Sequence, residues 1–217
     1  MAVDPRSLRV YVLTSSGYVA GRGHLEVGLA AIEGGATAIQ LRAPELSDPA
    51  LLPIAAELAS RCREAGVVFF VNDRVGVAVD AGADGAHVGQ DEDPTAARER
   101  LGEGRVLGVS VLTPGEARAA ELAGADYLGV TIWATPTKPE AVPVDLHGLR
   151  AIIDTTTLPV VGIGGIHIGN AKDVLAAGAT GVAVVSAVGA APDAVAATAR
   201  LAAVVRAFGS AGPRGSS

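Results

Sequence analysis

Gly82-Ala83-Asp84-Gly85-Ala86-His87-Val88-Gly89-Gln90-Asp91-Glu92-Asp93-Pro94 is the stretch that decides the fold. Its opening tripeptide recurs as Gly35-Ala36-Thr37, Gly124-Ala125-Asp126 and Gly178-Ala179-Thr180. Each copy follows residues of helical spacing and precedes a short apolar run. Glycine is favoured in the left-handed position just past a helix, so each copy marks a helix-to-strand junction. The run Gly85–Val88 leads into Asp91-Glu92-Asp93, and the run before it, 67–71, ends in Asn72-Asp73. Between them, 74–81 is long enough for a short crossover helix. Parallel strands joined by such a crossover deliver both acidic ends to one face. Carboxylates gathered there suit a hard cation such as Mg²⁺, which takes one or two carboxylates plus substrate phosphates.

Working outward, strands are predicted at 10–13, 38–41, 67–71, 85–88, 106–109, 127–130, 160–163 and 182–185. Helices alternate with them at 25–33, 48–65, 74–81, 94–101, from 113, and at 146–153, 170–177 and 192–208. Local signals support several starts. Ser47-Asp48-Pro49 reads as a cap with proline in the first turn, and Thr113 with Glu116 as a capping box. Eight βα units give a single-domain α/β TIM (β/α)8 barrel over 1–208, with its active site at the C-terminal ends of the strands. The Gly/Ser/Pro-rich stretch 209–217 reads as a disordered tail. The competing open, doubly wound sheet would want Gly-x-Gly-x-x-Gly between the first strand and helix, and none stands there.

Composition narrows the function. A net charge of −6 and a pI near 5.2 argue against nucleic acid or an anionic membrane as partner. Hydrophobic residues make up 49% of the chain but aromatics only 3%, which favours close helix–sheet packing over a few large anchors. The single cysteine, Cys62, excludes an intrachain disulfide and reads as a buried inert thiol. Met1–Arg9 has no signal-peptide pattern, and the apolar stretch 174–191 is interrupted by glycines, so a cytoplasmic protein with no membrane span is expected. A homo-oligomer stays open.

Candidate chemistry sits at nearly every strand end. Gln40 and Arg42 follow the second strand, where a guanidinium fork suits phosphate. Asn72 and Asp73 end the third, although either could cap the next helix. Asp93 precedes Pro94 and reads as an N-cap, leaving Asp91 and Glu92 as free carboxylates. Ser110 ends the fifth strand. Thr135, Pro136, Thr137 and Lys138 offer two hydroxyls and an ammonium held stiffly by proline. Gly162-Ile163-Gly164-Gly165-Ile166 and Val185-Ser186 follow strands seven and eight, the usual barrel phosphate site. His87 reads as a core or supporting residue, and His24, His147 and His167 as surface or loop residues.

With these residues in order, the chain resembles the thiamin phosphate synthase family over about 10–205. The resemblance rests on Gln40-Leu41-Arg42, Val71-Asn72-Asp73-Arg74, Gly82 to Gln90, Gly108-Val109-Ser110, Thr135-Pro136-Thr137-Lys138, Gly162 to Ile166 and Val184-Val185-Ser186-Ala187. It implies a TIM-barrel transferase that joins an aminopyrimidine methyl pyrophosphate to a thiazole phosphate by dissociative displacement. By that resemblance Gln40, Arg42, Asn72, Ser110 and Lys138 hold the pyrimidine pyrophosphate, with Arg42, Ser110 and Lys138 in the catalytic roles. Asp73 and Glu92 bind Mg²⁺. Thr135, Thr137, Gly165, Val185 and Ser186 hold the thiazole phosphate, beside Pro136.

Three departures stand out. The family follows Gln-Leu-Arg with an acid and a lysine, where this chain has Ala43-Pro44; Glu92 replaces an aspartate; and the loop after the sixth strand is shorter. Two other readings compete, a thiazole tautomerase and a non-catalytic thiazole-phosphate-binding barrel. Against the first, no histidine stands at 129–133 to move protons. A phosphosugar epimerase is a weaker fourth, since fold alone does not assign chemistry.

Overall fold

The computed structural model describes residues 3–17, 21–135 and 141–210, with the side chain of Ser210 excepted. Eight parallel strands close a barrel in chain order. They are β1 (Val10–Ser15), β2 (Ala38–Arg42), β3 (Val68–Asn72), β4 (Gly85–Val88), β5 (Val106–Ser110), β6 (Tyr127–Thr131), β7 (Val160–Ile163) and β8 (Gly181–Val184). β8 pairs with β1 through Tyr11 and Ala183, which closes the ring. The helices are α1 (His24–Glu33), α2 (Asp48–Ala65), α3 (Val75–Asp80), α4 (Pro94–Leu101), α5 (Pro114–Leu122), α6 (Asp145–Ile153), α7 (Ala171–Ala176), α8 (Ser186–Gly189) and α9 (Ala194–Ser210). The expected TIM barrel is the fold.

Element boundaries shift by a residue or two from the sequence reading, with two larger differences. The extra helix α8 follows β8, and a single turn this short carries no periodic signal. α9 runs to Ser210, so Gly209 and Ser210, assigned to the tail from their composition, belong to the helix; 211–217 lie outside the described residues. Among the described residues no helix is long and apolar enough to cross a membrane.

The glycine tripeptides do more than end helices. Gly35, Gly82, Gly124 and Gly178 all have positive φ, from 68° to 105°, as the left-handed position requires. The residue two places on then latches back to the preceding odd-numbered strand. Thr37 Oγ1 accepts from Val10 N at 2.9 Å, Asp84 Oδ2 from Phe69 N at 2.8 Å, and Asp126 Oδ2 from Leu107 N at 2.8 Å. The backbone of Thr180 makes the corresponding bond, donating to Val160 O at 2.8 Å. Arg98 braces the third copy: its guanidinium pairs with Asp126 at 2.6 Å and donates to the carbonyls of Gly102, Arg105 and Gly124.

Two cores result. The larger lies between barrel and helices and holds Ile39, Leu58, Phe69, Leu107, Leu128, Leu149 and Val182; buried on both faces, the strands read as continuous apolar runs. Cys62 sits in it, fully buried, as expected. The smaller core fills the barrel itself, with Tyr11, Leu13, Phe70, Val106, Tyr127, Val161 and Ala183. Its rings cluster, with Phe70 centred 5.6 Å from Tyr11 and 5.3 Å from Tyr127. These aromatics floor the C-terminal mouth of the barrel.

Candidate active site

Above that floor a cavity of about 110 Å³ opens to solvent at the strands' C-terminal ends. Inward-pointing residues alternate along each strand, which carries Gln40, Arg42, Asn72 and Ser110 to its wall. Asp73, Thr135 and Val185 join them. Gly165 and Ser186 line a smaller pocket that shares Thr135, Ile163, Gly164, Ala183 and Val185 with the cavity. Glu92 lies outside the main cavity, in a neighbouring groove that meets it at Gly89 and Ser110. Pro136, Thr137 and Lys138 lie outside the described residues.

The cap readings separate cleanly. Asp93 caps α4, its carboxylate accepting from Thr95 N at 2.9 Å. Asn72 and Asp73 cap nothing. Asp73 takes a left-handed φ of 57° and accepts instead from Gly89 N at 2.9 Å, with Asn72 donating to its second oxygen. Aspartate is among the few non-glycine residues that adopt this conformation readily, and Asp145 at the start of α6 shares it. Glu92 N in turn reaches Gly89 O at 3.4 Å, so the two acids flank one glycine. Among the described residues no group of three or more His, Cys, Asp or Glu could hold a metal unaided. Asp73 and Glu92 supply hard carboxylate oxygens, the donor type Mg²⁺ takes alongside phosphate oxygens and water.

Arg42 is half-buried, and its Nη1 donates to Ser15 Oγ at 3.3 Å. Pro44 is exposed on a loop fastened elsewhere: Arg74 pairs with Asp48 and donates to the carbonyls of Pro44 and Leu46, both at 3.4 Å. Glu45 turns to Ser16 and His24. Burial raises its carboxyl, but hydrogen bonds from Ser16, its own backbone and His24 outweigh this and hold it below the usual carboxylate range. His24, expected on the surface, is therefore enclosed; its Nδ1 contacts Thr14 Oγ1 at 2.9 Å and its side chain is only 10% exposed.

At the far wall Gly164 and Gly165 have φ of +87° and +64°. A Cβ on Gly164 would lie 2.7 Å from the Trp133 carbonyl oxygen, so these glycines also let the β7 loop press against the loop after β6. Trp133 packs there against the larger core.

His87 is the buried supporting residue the sequence suggested, but sequence reasoning missed the two tyrosines of the floor. Ser110 Oγ lies 3.0 Å from His87 Nε2, and His87 Nδ1 lies 3.0 Å from Tyr127 OH. Tyr127 OH meets Tyr11 OH at 2.9 Å, and Gln40 Nε2 donates to Tyr11 OH at 2.8 Å. Burial pushes both phenols well above their ordinary pKa, so both stay neutral. Glycines make the room: a Cβ at Gly108 would fall 2.2 Å from the Tyr127 ring, and one at Gly129 2.9 Å from His87. Glycine inside a strand is the signal that marks such close approach.

A (β/α)8 barrel whose C-terminal mouth holds a polar-walled cavity above an aromatic floor is the class that fold and site define. Residues 10–188 match the family model for thiamine monophosphate synthase, and the chain belongs to that family. It is 51% identical over 182 residues to a thiamine-phosphate synthase of Chloroflexus aurantiacus, covering 83% of this chain and 84% of that one. It is 48% identical over 182 residues to one of Moorella thermoacetica, covering 82% and 87%. The solved thiamine phosphate pyrophosphorylase of Pyrococcus furiosus superimposes with a TM-score of 0.86 at 37% identity, covering 94% of this chain and 98% of the other. The family and transferase class expected from the sequence are borne out.

Proposed function

We propose that this chain joins the aminopyrimidine methyl pyrophosphate to thiazole phosphate, giving thiamin phosphate and pyrophosphate. The observation that carries this reading is the Gln40 side chain, 2% exposed, whose Oε1 has no hydrogen-bond partner among the described residues. A buried acceptor left unmade costs about 1–3 kcal/mol, and an exocyclic amino group satisfies it. The second Nε2 hydrogen then reaches a ring nitrogen, the pairing an amide makes with adenine. That fixes the heterocycle against β2. Arg42, Asn72 and Ser110 face its pyrophosphate, with Lys138 as a further cation in this proposal. Val185, Ser186 and the amides around Gly165 receive the thiazole phosphate, with Thr135, Pro136 and Thr137.

In the reaction, the bond from the methylene carbon to pyrophosphate oxygen breaks and its electron pair leaves with pyrophosphate. The thiazole nitrogen then bonds to the carbocation so formed. Asp73 and Glu92 would hold Mg²⁺, which neutralises charge growing on the leaving group. No protein nucleophile is needed; the residues orient both partners and stabilise the departing anion. Pro44 removes one cation from this half of the site, and the Arg74 clasp on the loop keeps its backbone in place without it. The protein would act in the cytoplasm on small phosphorylated substrates, without nucleic acid or membrane.

The test is direct. Purified protein with both substrates and Mg²⁺ should give thiamin phosphate, read as fluorescent thiochrome after oxidation. The product should vanish with EDTA and in Asp73→Ala. No product from intact protein that still binds thiazole phosphate would refute the proposal.

A further inference from the structure

The buried contacts beneath the cavity form one unbroken chain: Gln40, Tyr11, Tyr127, His87, Ser110. It crosses the barrel from β2 to β5, and Tyr11, Tyr127 and His87 are 2%, 0% and 8% exposed. Each phenol has one hydrogen to donate, and a neutral imidazole has one donor and one acceptor nitrogen. The direction of the first bond therefore sets all the others. Gln40 Nε2 can only donate, so Tyr11 OH accepts from it and gives its own hydrogen to Tyr127. Tyr127 then donates to His87 Nδ1. That places the imidazole proton on Nε2, which donates to Ser110 Oγ. The Ser110 hydroxyl hydrogen is left to point into the cavity.

Turning the Gln40 amide over reverses every link. Its carbonyl would then accept from Tyr11, His87 would carry its proton on Nδ1, and Ser110 would spend its hydrogen on Nε2. Which arrangement holds depends on what meets Gln40 in the cavity. A ligand donor selects the carbonyl-outward form, in which Ser110 is free to donate.

Resting on the synthase reading above, we propose that Tyr11, Tyr127 and His87 are positioning residues that transmit hydrogen-bond direction from Gln40 to Ser110. An amino-bearing heterocycle seated at Gln40 thereby fixes the Ser110 hydroxyl as a donor toward the leaving pyrophosphate. An analogue presenting an acceptor in place of the amino group flips the relay and withdraws that donor, so substrate choice at one wall is read out at the other.

The His87 tautomer reports this without any turnover. In ¹⁵N-histidine protein, assigned with His87→Gln, two-bond ¹H–¹⁵N spectra of the ligand-free enzyme should show the Nε2–H form. An Nδ1–H form or an imidazolium would overturn the direction. Gln40→Glu, read at about pH 9 where the carboxyl is ionised, leaves only an acceptor for Tyr11 and should switch His87 to the Nδ1–H form. A tautomer unchanged in that variant would overturn the relay, since a merely structural role for the tyrosines does not couple the two sites. Where wild-type protein makes product, Tyr127→Phe should lower kcat about tenfold and leave KM for thiazole phosphate within about twofold. An unchanged kcat would overturn the link to Ser110. Absence of product from the wild type would count against the synthase reading alone, because the tautomer is measured independently.

Discussion

Gly108→Ala tests how tightly the barrel floor is packed. The new methyl would lie 2.2 Å from Tyr127 Cζ, 2.4 Å from Tyr127 Cε1 and 2.4 Å from His87 Nδ1. Carbon contacts settle near 3.5–4.0 Å, so the ring must move by more than about 1 Å. It has nowhere to go: Tyr127 is fully buried, with Phe70, Tyr11 and His87 ring centroids 5.3, 6.2 and 5.4 Å away. Overpacking a core by one methyl costs about 1–3 kcal/mol. Displacing the phenol also loosens its bonds to Tyr11 and His87, each worth about 1 kcal/mol. The expected loss is about 2–5 kcal/mol, read by urea unfolding as a lower midpoint at unchanged slope. Pairing it with Tyr127→Leu, which removes the offending ring atoms, should make the two costs strongly non-additive. A Gly108→Ala protein within about 0.5 kcal/mol of wild type, or additive costs in the double variant, would refute the reasoning.

Four further outcomes follow from the same structure. Arg98→Met keeps the aliphatic stem but strips the guanidinium from Asp126 and three carbonyls, and should cost about 3 kcal/mol in thermal or urea unfolding. Cys62, its thiol pushed up to about 12 by burial and then by Asp84, should resist a thiol reagent at neutral pH in native protein and react at once in urea. Gly164→Ala sets a side chain at φ +87° against the Trp133 carbonyl, and should weaken thiazole phosphate binding about tenfold or more in calorimetry, from strain of about 1–2 kcal/mol plus the clash. Pro44→Lys should raise turnover with the pyrimidine pyrophosphate; no gain would mean the Arg74-clasped loop supports the leaving group in another way.

How much was legible depended on how far apart in the chain the partners stand. The Gly82-Ala83-Asp84 repeat could be read because its turn chemistry is local. So could the Asp93–Pro94 cap. At α5 the reading was half right: Thr113 caps Glu116 N at 3.1 Å, but the Glu116 carboxylate reaches Leu112 N rather than Thr113 N. Residues at strand ends were found because the barrel gathers them at one mouth. Tyr11 and Tyr127 were passed over as apolar strand residues because their hydroxyl partner is 116 positions away and no period connects them. His24 looked superficial for a similar reason, its partners lying on two separate rim loops. Asp73 is instructive in another way: its type and place were those of a cap, but its carboxylate accepts from Gly89 N, 16 positions away, a partner no local pattern names.

The four latches bear on how the barrel assembles. Those made by side chains join positions only 27, 15 and 19 residues apart, each inside one strand–helix–strand unit. The seam of β8 on β1 spans nearly the whole chain, and each doubling of a loop adds about 0.6 kcal/mol of closure entropy. Quarter-barrels of two strands and two helices are thus the natural early pieces, and ring closure the late event. The same division says where the polypeptide can be reopened. New termini placed after α2, α4 or α6 leave every latch intact, whereas a break at Gly34-Gly35 or Ala81-Gly82 severs one quarter from within.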